Sequence, residues 1–210
     1  MPWNANVYLE QLALESLGYE VGPLDGLSGP KTSGAKSKWL ASRSKPVGDT
    51  SPPDDDYHSM VAYYGQPGDE SSLGKIVFPY PMRLAWDKSI TVNSSRCHTR
   101  VVAPLLAVLT ELLDTYGIDW IKEHGLDLYG GIYNNRNTRG GATKSKHAWG
   151  AAIDLNPSTN GNKTPWKADK IGQKGYADMP LEAIVIFERH GFKSGGRAWA
   201  RDAMHFQLTK

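Results

Sequence analysis

An α+β fold is what this sequence predicts: a small antiparallel sheet with packed helices, preceded by a small all-α N-terminal module. Three observations carry the expectation. Long stretches repeat apolar residues at helical spacing, short ones alternate apolar and polar residues as strands do, and the two kinds do not follow one another in a regular βαβ rhythm. A stretch dense in Pro, Ser and Asp also interrupts the chain, dividing it into a helical module over 1–43, a linker over 44–62 and a larger domain over 63–210.

In the first unit Leu9, Leu12, Ala13 and Leu17 recur at helical spacing, with Gly18 as the stop. The following GPLDGLSGP is too rich in Gly and Pro for regular structure. Pro30 can open a second helix that bears Ala35 and Trp39. SRSKPVGDTSPPDDDYHS then reads as a semi-extended connection, and order resumes near Tyr63. RVVAPLLAVLTELLDTYG places Val101, Leu105, Leu109, Leu112 and Tyr116 on one side and ends at Gly117. MPLEAIVIFERHGF is a second long helix, entered at Pro180 and left at Gly191. The strand candidates are GLDLYGG, AWGAAIDL and MHFQLT.

Composition narrows the possible functions. The 210 residues are 40% hydrophobic and 22% charged, which suits a folded chain rather than a disordered one. A net charge of +2, without a stripe of Lys or Arg, argues against a nucleic-acid partner. The single Cys97 excludes an intramolecular disulfide framework and a thiolate zinc knuckle. No stretch is expected to reach membrane-spanning length, and no export leader is read near Met1. The expectation is a monomer made in the cytoplasm, with no membrane insertion.

The chemistry concentrates in SKHAWGAAIDLNP, Ser145 to Pro157, and RDAMHFQL, Arg201 to Leu208. Each sets a histidine near an aspartate among small or apolar residues. If Gly150–Leu155 is a strand, Ala152 and Asp154 share one face; if Met204–Leu208 is another, His205 and Gln207 share one. Neighbouring strands would gather His147, Asp154 and His205. Two imidazoles and one carboxylate, with a fourth position for water, is the ligand count of a catalytic zinc site. Taken singly, a histidine on a strand is ordinarily a hydrogen-bonded core residue, and an Asp after an apolar run forms a turn. The joint pattern carries the reading.

That pattern is similar to a known family. SKHAWGAAID fits SxHxxGxAxD and DAMHF fits a closing DxxHF. Together they resemble the zinc D,D-carboxypeptidase and L-alanyl-D-glutamate endopeptidase family, the VanY-like peptidases of peptidoglycan stem peptides. The likeness runs from about Tyr64 to Leu208 through YGQPG, CHTRV, YGGIYNNR and ERHGFKSGG. It implies one Zn2+ per chain on His147, Asp154 and His205, with Asp202 as general base. Arg136 would hold substrate and steady the developing oxyanion, Ser145 would hold substrate, and Trp199 falls at an aromatic wall position. Ser194, Arg197 and Gln207 depart from the residues common there, which touches specificity more than metal binding. Cys97 and His98 also match, with packing or a hydrogen bond expected of them rather than a second metal. His190 is expected to interact with its helix end, and His58 and His124 to lie in loops.

LEQLALESLGYEVGPLDGLSGPKTSGAKSKWL is similar to a small helical peptidoglycan-binding module with signature LGY–G–DG–GP–T, its usual Phe-Gln replaced by Trp39-Leu40. Tyr19, Leu24, Asp25 and Trp39 would form its groove, against the alternative of a helical cap with no ligand. The two resemblances together imply a wall-degrading hydrolase of phage endolysin type, with peptidoglycan as partner. The alternative is a non-catalytic wall-binding or virion structural protein with a decayed site. The choice between endopeptidase and carboxypeptidase stays open.

Overall fold

Helix periodicity sets the N-terminal elements. The structure, a computed structural model, describes residues 3–42 and 51–210. Helix α1 spans Ala5–Ser16, burying Leu9, Ala13 and Leu14, and Gly18 follows at φ 85°. Helix α2, Pro30–Ser42, begins on its proline, whose missing N–H has no partner to lose in a first turn. Gln11 joins the two by donating to Asp25 and Thr32 and accepting from the Gly26 amide.

Residue 43 and the first part of the expected linker, 44–50, lie outside the described residues. Its second half is not a free tether. Pro53 accepts from the Lys210 amide, Asp55 pairs with Lys146 and Lys193, and helix α3, Tyr57–Tyr64, begins before the expected resumption at Tyr63. Asp56 caps α3 by accepting from the Ser59 amide, a local signal sufficient to start a helix in a polar stretch. His58 therefore lies in a helix and not in a loop.

A six-stranded sheet follows, mostly antiparallel, in the order β2-β1-β3-β4-β6-β5. Its strands are β1 Leu73–Leu84, β2 Asp87–His98, β3 Leu128–Gly131, β4 Ala152–Leu155, β5 Lys193–Ser194 and β6 His205–Gln207. Only β1 and β3 run parallel. The long β1–β2 hairpin was not read from the sequence. Pro79 and Pro81 cannot donate to a ladder, and pairing between the strands is interrupted from Val77 to Met82. Apolar alternation survives the interruption, since Ile76, Phe78, Tyr80 and Met82 are all fully buried. Arg83 ties β1 to the chain entering β3 with a bidentate pair to buried Asp127.

Helix α4, Thr99–Glu123, packs against β1 and buries Val101, Leu105, Leu109 and Leu112 as the periodicity predicts. Gly117 leaves helical geometry at φ 78° and ψ 167°, but the helix resumes beyond it. By length and composition α4 could cross a membrane, contrary to the expectation that no stretch reaches that length. Here it is the central core helix. Helices α5 (Pro157–Asn160), α6 (Leu181–Arg189) and α7 (Gly195–Trp199) complete the described elements. His190 closes α6 with its backbone amide while its ring pairs with Glu111 of α4, and His124 donates to the Trp120 carbonyl at the close of α4.

The N-terminal unit docks on this body. Helix α1 packs along β1, Lys36 pairs with both Glu10 and Asp114 of α4, and Leu14, Val21, Ala35 and Trp39 belong to the same apolar core as the sheet.

Candidate metal centre

Strand register builds the site. Asp154 on β4 stands directly opposite His205 on β6, with Ile153 opposite Phe206 and Ala152 opposite Gln207. Period-two alternation therefore puts Asp154 and His205 on one face and the apolar pair behind it. His147 arrives from a short 3₁₀ segment, Lys146–Trp149, that ends on Gly150 in the left-handed region at φ 65°. A side chain at Gly150 would also stand 2.8 Å from the His98 amide nitrogen, so glycine is required twice over. Gly130 on β3 permits equally close approach, since a Cβ there would lie 2.9 Å from that of Asp154.

Three donor atoms meet at this point. His147 Nε2 lies 3.2 Å from Asp154 Oδ1 and 3.2 Å from His205 Nδ1, and the latter two are 3.0 Å apart. The opposite nitrogen of each ring is occupied. His147 Nδ1 donates to the Ile132 carbonyl at 2.7 Å, and His205 Nε2 donates to Gln207 Oε1 at 3.1 Å while Gln207 Nε2 donates on to Thr209. In their neutral forms both rings therefore turn unprotonated nitrogens toward the carboxylate. Three buried lone pairs at such spacing repel unless a cation lies among them. A tetrahedral ion with bonds of about 2.1 Å sets its ligands about 3.4 Å apart, close to the observed triangle. The group fits a metal ion, and it is the one such cluster among the described residues.

The electrostatics show how strongly this point draws positive charge, as a proton on an imidazole or as a metal ion. Burial alone would push the Asp154 carboxyl up, but His147 and His205 overcome it and hold the group far below the usual carboxylate range. Burial works to lower the His205 imidazole, and Asp154 overrides it to raise the group above its ordinary value.

Asp202 completes the floor. It sits at φ 58°, in the left-handed region where Asp is among the few tolerated residues, and its buried Oδ1 has no hydrogen-bond partner. Burial raises its carboxyl above the ordinary value, opposed by nearby His205 and assisted by the Asp154 charge. A side chain at Gly195 would collide with the Asp202 carbonyl, so α7 packs directly beneath this turn.

Around these groups opens a cleft of about 680 Å³. It brings together every residue expected there: His147, Asp154, Asp202, His205, Arg136, Ser145 and Trp199. The Trp199 ring leans over His205 at 5.7 Å between centroids. The structure adds residues to which the sequence reading assigned no place, among them Asp55, Arg139, Lys144, Lys146, Lys163 and Arg201. Their signal was available, because 134–146 contains four basic residues and no acidic one.

The remaining expectations fare differently. Trp39 is only 3% exposed and packs in the core, so its ring lines no groove. Asp25 accepts from Gln11 and from the Leu27 amide and so holds its own loop, while Tyr19 and Leu24 are half-buried. His98 caps α4, its Nδ1 accepting from the Arg100 amide, and its Nε2 donates to the Tyr64 carbonyl. Burial pushes the Cys97 thiol up to about 12, leaving it inert near neutral pH.

With the geometry in place, the comparison with protein families is specific. Residues 139–208 match the model of a family described as D-alanyl-D-alanine carboxypeptidase. The match covers a third of the chain and includes His147, Asp154 and His205, together with Asp202, Ser145 and Trp199, but not Arg136 or the N-terminal unit. No curated protein and no solved structure matches the chain.

Proposed function

We propose that the protein is a zinc-dependent peptidoglycan peptidase that hydrolyses an amide bond in the murein stem peptide. The observation that carries this reading is the convergence of three buried lone pairs at the base of a cleft that also holds an unpartnered carboxylate. His147, Asp154 and His205 would hold one Zn2+ per chain. Bound there, zinc supplies Lewis acidity toward the scissile carbonyl and brings the pKa of water toward about 7.

The chain's own groups do the rest. Asp202, with Oδ1 free, takes a proton from the attacking water and returns it to the leaving nitrogen as the C–N bond breaks. Burial raises its carboxyl above the ordinary value, which favours taking up a proton. Arg136 brings positive charge to a substrate carboxylate or to oxygen charge developing at the carbonyl, and Ser145 contributes polar groups to the peptide backbone. Trp199 gives a flat apolar wall beside His205. The N-terminal unit, through Tyr19, Leu24 and Asp25, would hold the enzyme on murein. The setting we favour is a phage-type endolysin, made in the cytoplasm and acting on the wall as a monomer.

Elemental analysis and muropeptide digestion test this together. The expected result is about one zinc per chain, lost in His147→Ala, Asp154→Ala and His205→Ala. Mass spectrometry should show new fragments from soluble muropeptides: a released terminal residue for a carboxypeptidase, an internal cut for an endopeptidase. Full zinc in all three variants, or muropeptides left intact by the zinc-loaded protein, would refute the reading.

A further inference from the structure

The charge around the cleft is uneven. Six cations line it: Arg136, Arg139, Lys144, Lys146, Lys163 and Arg201. Of the carboxylates lining it, Asp55 is engaged by Lys146 and Lys193, and Asp56 by Ser59 at the start of α3. Asp154 belongs to the metal triangle and Asp202 stands beside it. Arg136 and Lys144 meet only neutral oxygens, on Asn137 and Asn135. Among the described residues, Arg139, Lys163 and Arg201 have no carboxylate within ion-pair distance. A chain with a net charge of only +2 thus gathers five unneutralised cations in one depression.

These cations form two walls. Strands β4 and β6, which carry Asp154 and His205, lie between β3 and β5 in the sheet. The chain leaving β3 builds one wall with Arg136, Arg139 and Lys144, braced by the Asn137–Lys144 bridge and by the Thr138 amide donating to Thr143 at 2.8 Å. The chain after α5 and the turn before β6 build the other with Lys163 and Arg201. They are tied by the Pro165–Arg201 bridge and by the Trp166 amide donating to Ala200 at 2.8 Å. Like charges held on braced loops raise the local potential for an anion, and two such loops rim the same cleft.

We infer that the cleft takes a peptide bearing a carboxylate on each side of the bond that is cut, one received by the Arg139 wall and the other by the Lys163–Arg201 wall. The inference rests on the proposed peptidase reading and adds to it the charge pattern of the substrate. A partly exposed carboxylate–cation contact contributes modestly in water, so each wall should be worth a factor of about five to ten. Screening should weaken it in concentrated salt.

The test uses one soluble muropeptide in four forms: both carboxylates free, each one capped in turn as a carboxamide, and both capped. Cleavage is read as kcat/KM on the full chain with zinc. Binding is read as Kd by calorimetry on Asp202→Asn protein. Capping either carboxylate should weaken both readings about fivefold or more, less so at high salt. Arg139→Glu should erase the discrimination at one carboxylate, and Lys163→Glu with Arg201→Glu at the other. Equal binding and cleavage of all four forms would overturn the inference while leaving the peptidase reading intact. So would wall variants that change every form by the same factor. Charge-dependent binding without cleavage of any form by the wild type would do the reverse.

Discussion

Replacing Asp202 by Asn separates chemistry from architecture at this site. Asn is among the residues that tolerate the left-handed region best, so the φ of 58° should survive the change. The backbone contacts of the turn survive too, since the Asp202 carbonyl accepting from the His205 amide at 3.0 Å needs no side chain. The oxygen removed has no hydrogen-bond partner, and burial disfavours its charge. The fold should lose little stability, within about 0.5 kcal/mol, and metal should be retained because Asp202 is not one of the three converging ligands. An amide cannot take a proton near neutral pH. Loss of a general base costs about 10²–10⁴-fold, or roughly 3–5 kcal/mol of barrier.

The assay measures zinc content, melting temperature and muropeptide turnover on one preparation. The expected outcome is full zinc, an unchanged melt and a turnover lower by at least two orders of magnitude. Turnover within tenfold of wild type would refute the assignment of Asp202 as base. A large fall in melting temperature would show that the residue is there to hold the turn.

Other perturbations probe the frame. Gly150→Ala should destabilise by roughly 2 kcal/mol or more, because it combines a left-handed backbone with a Cβ 2.8 Å from the His98 nitrogen; denaturant unfolding measures it. Burial holds His98 below the usual imidazole value, so the unfolded chain binds a proton that the folded one refuses. Its share of stability should be full above about pH 6.5 and fall as pH drops toward the lower folded value. The stability gap between wild type and His98→Asn should therefore narrow from pH 7.5 to pH 5. Deleting residues 1–50 uncovers the face of β1 under α1 and breaks the Lys36–Asp114 pair, so the melting temperature should fall. If the unit also holds murein, the truncated protein should no longer pellet with sacculi, and equal pelleting would remove that role.

How much of this was legible depended on whether the signal was local. The helices at Val101–Leu112 and Leu181–Arg189 declare themselves through apolar spacing and their bounding Gly and Pro. The site declares itself because His147, Asp154, Asp202 and His205 occupy two short segments whose strand register is set by alternation, Ile153 and Phe206 inward, Asp154 and His205 outward. The β1–β2 hairpin gave no such signal, because two prolines break the pattern by which a strand is recognised, and the strand persists through long-range burial of Phe78 and Tyr80. Trp39 misled for the opposite reason. An aromatic at the end of a small helical unit looks like a ligand-binding side chain until the surface it covers is known, and here the unit is docked on the larger domain.

The same limit explains the linker. Pro, Ser and Asp in succession describe a segment with little apolar surface of its own, and such a segment is free only if nothing else fixes it. Asp55 is fixed by Lys146 and Lys193, 91 and 138 residues further along the chain. Lys146 in turn immediately precedes His147, which contributes to the metal triangle. The acidic stretch thus neutralises the one cation of the cleft that lies next to His147 and leaves the cations of the two walls without carboxylate partners. Charge composition along the chain could not reveal that division. It follows from which loops the sheet order β3-β4-β6-β5 brings to the rim, and the proposed preference for a doubly charged peptide rests on that arrangement.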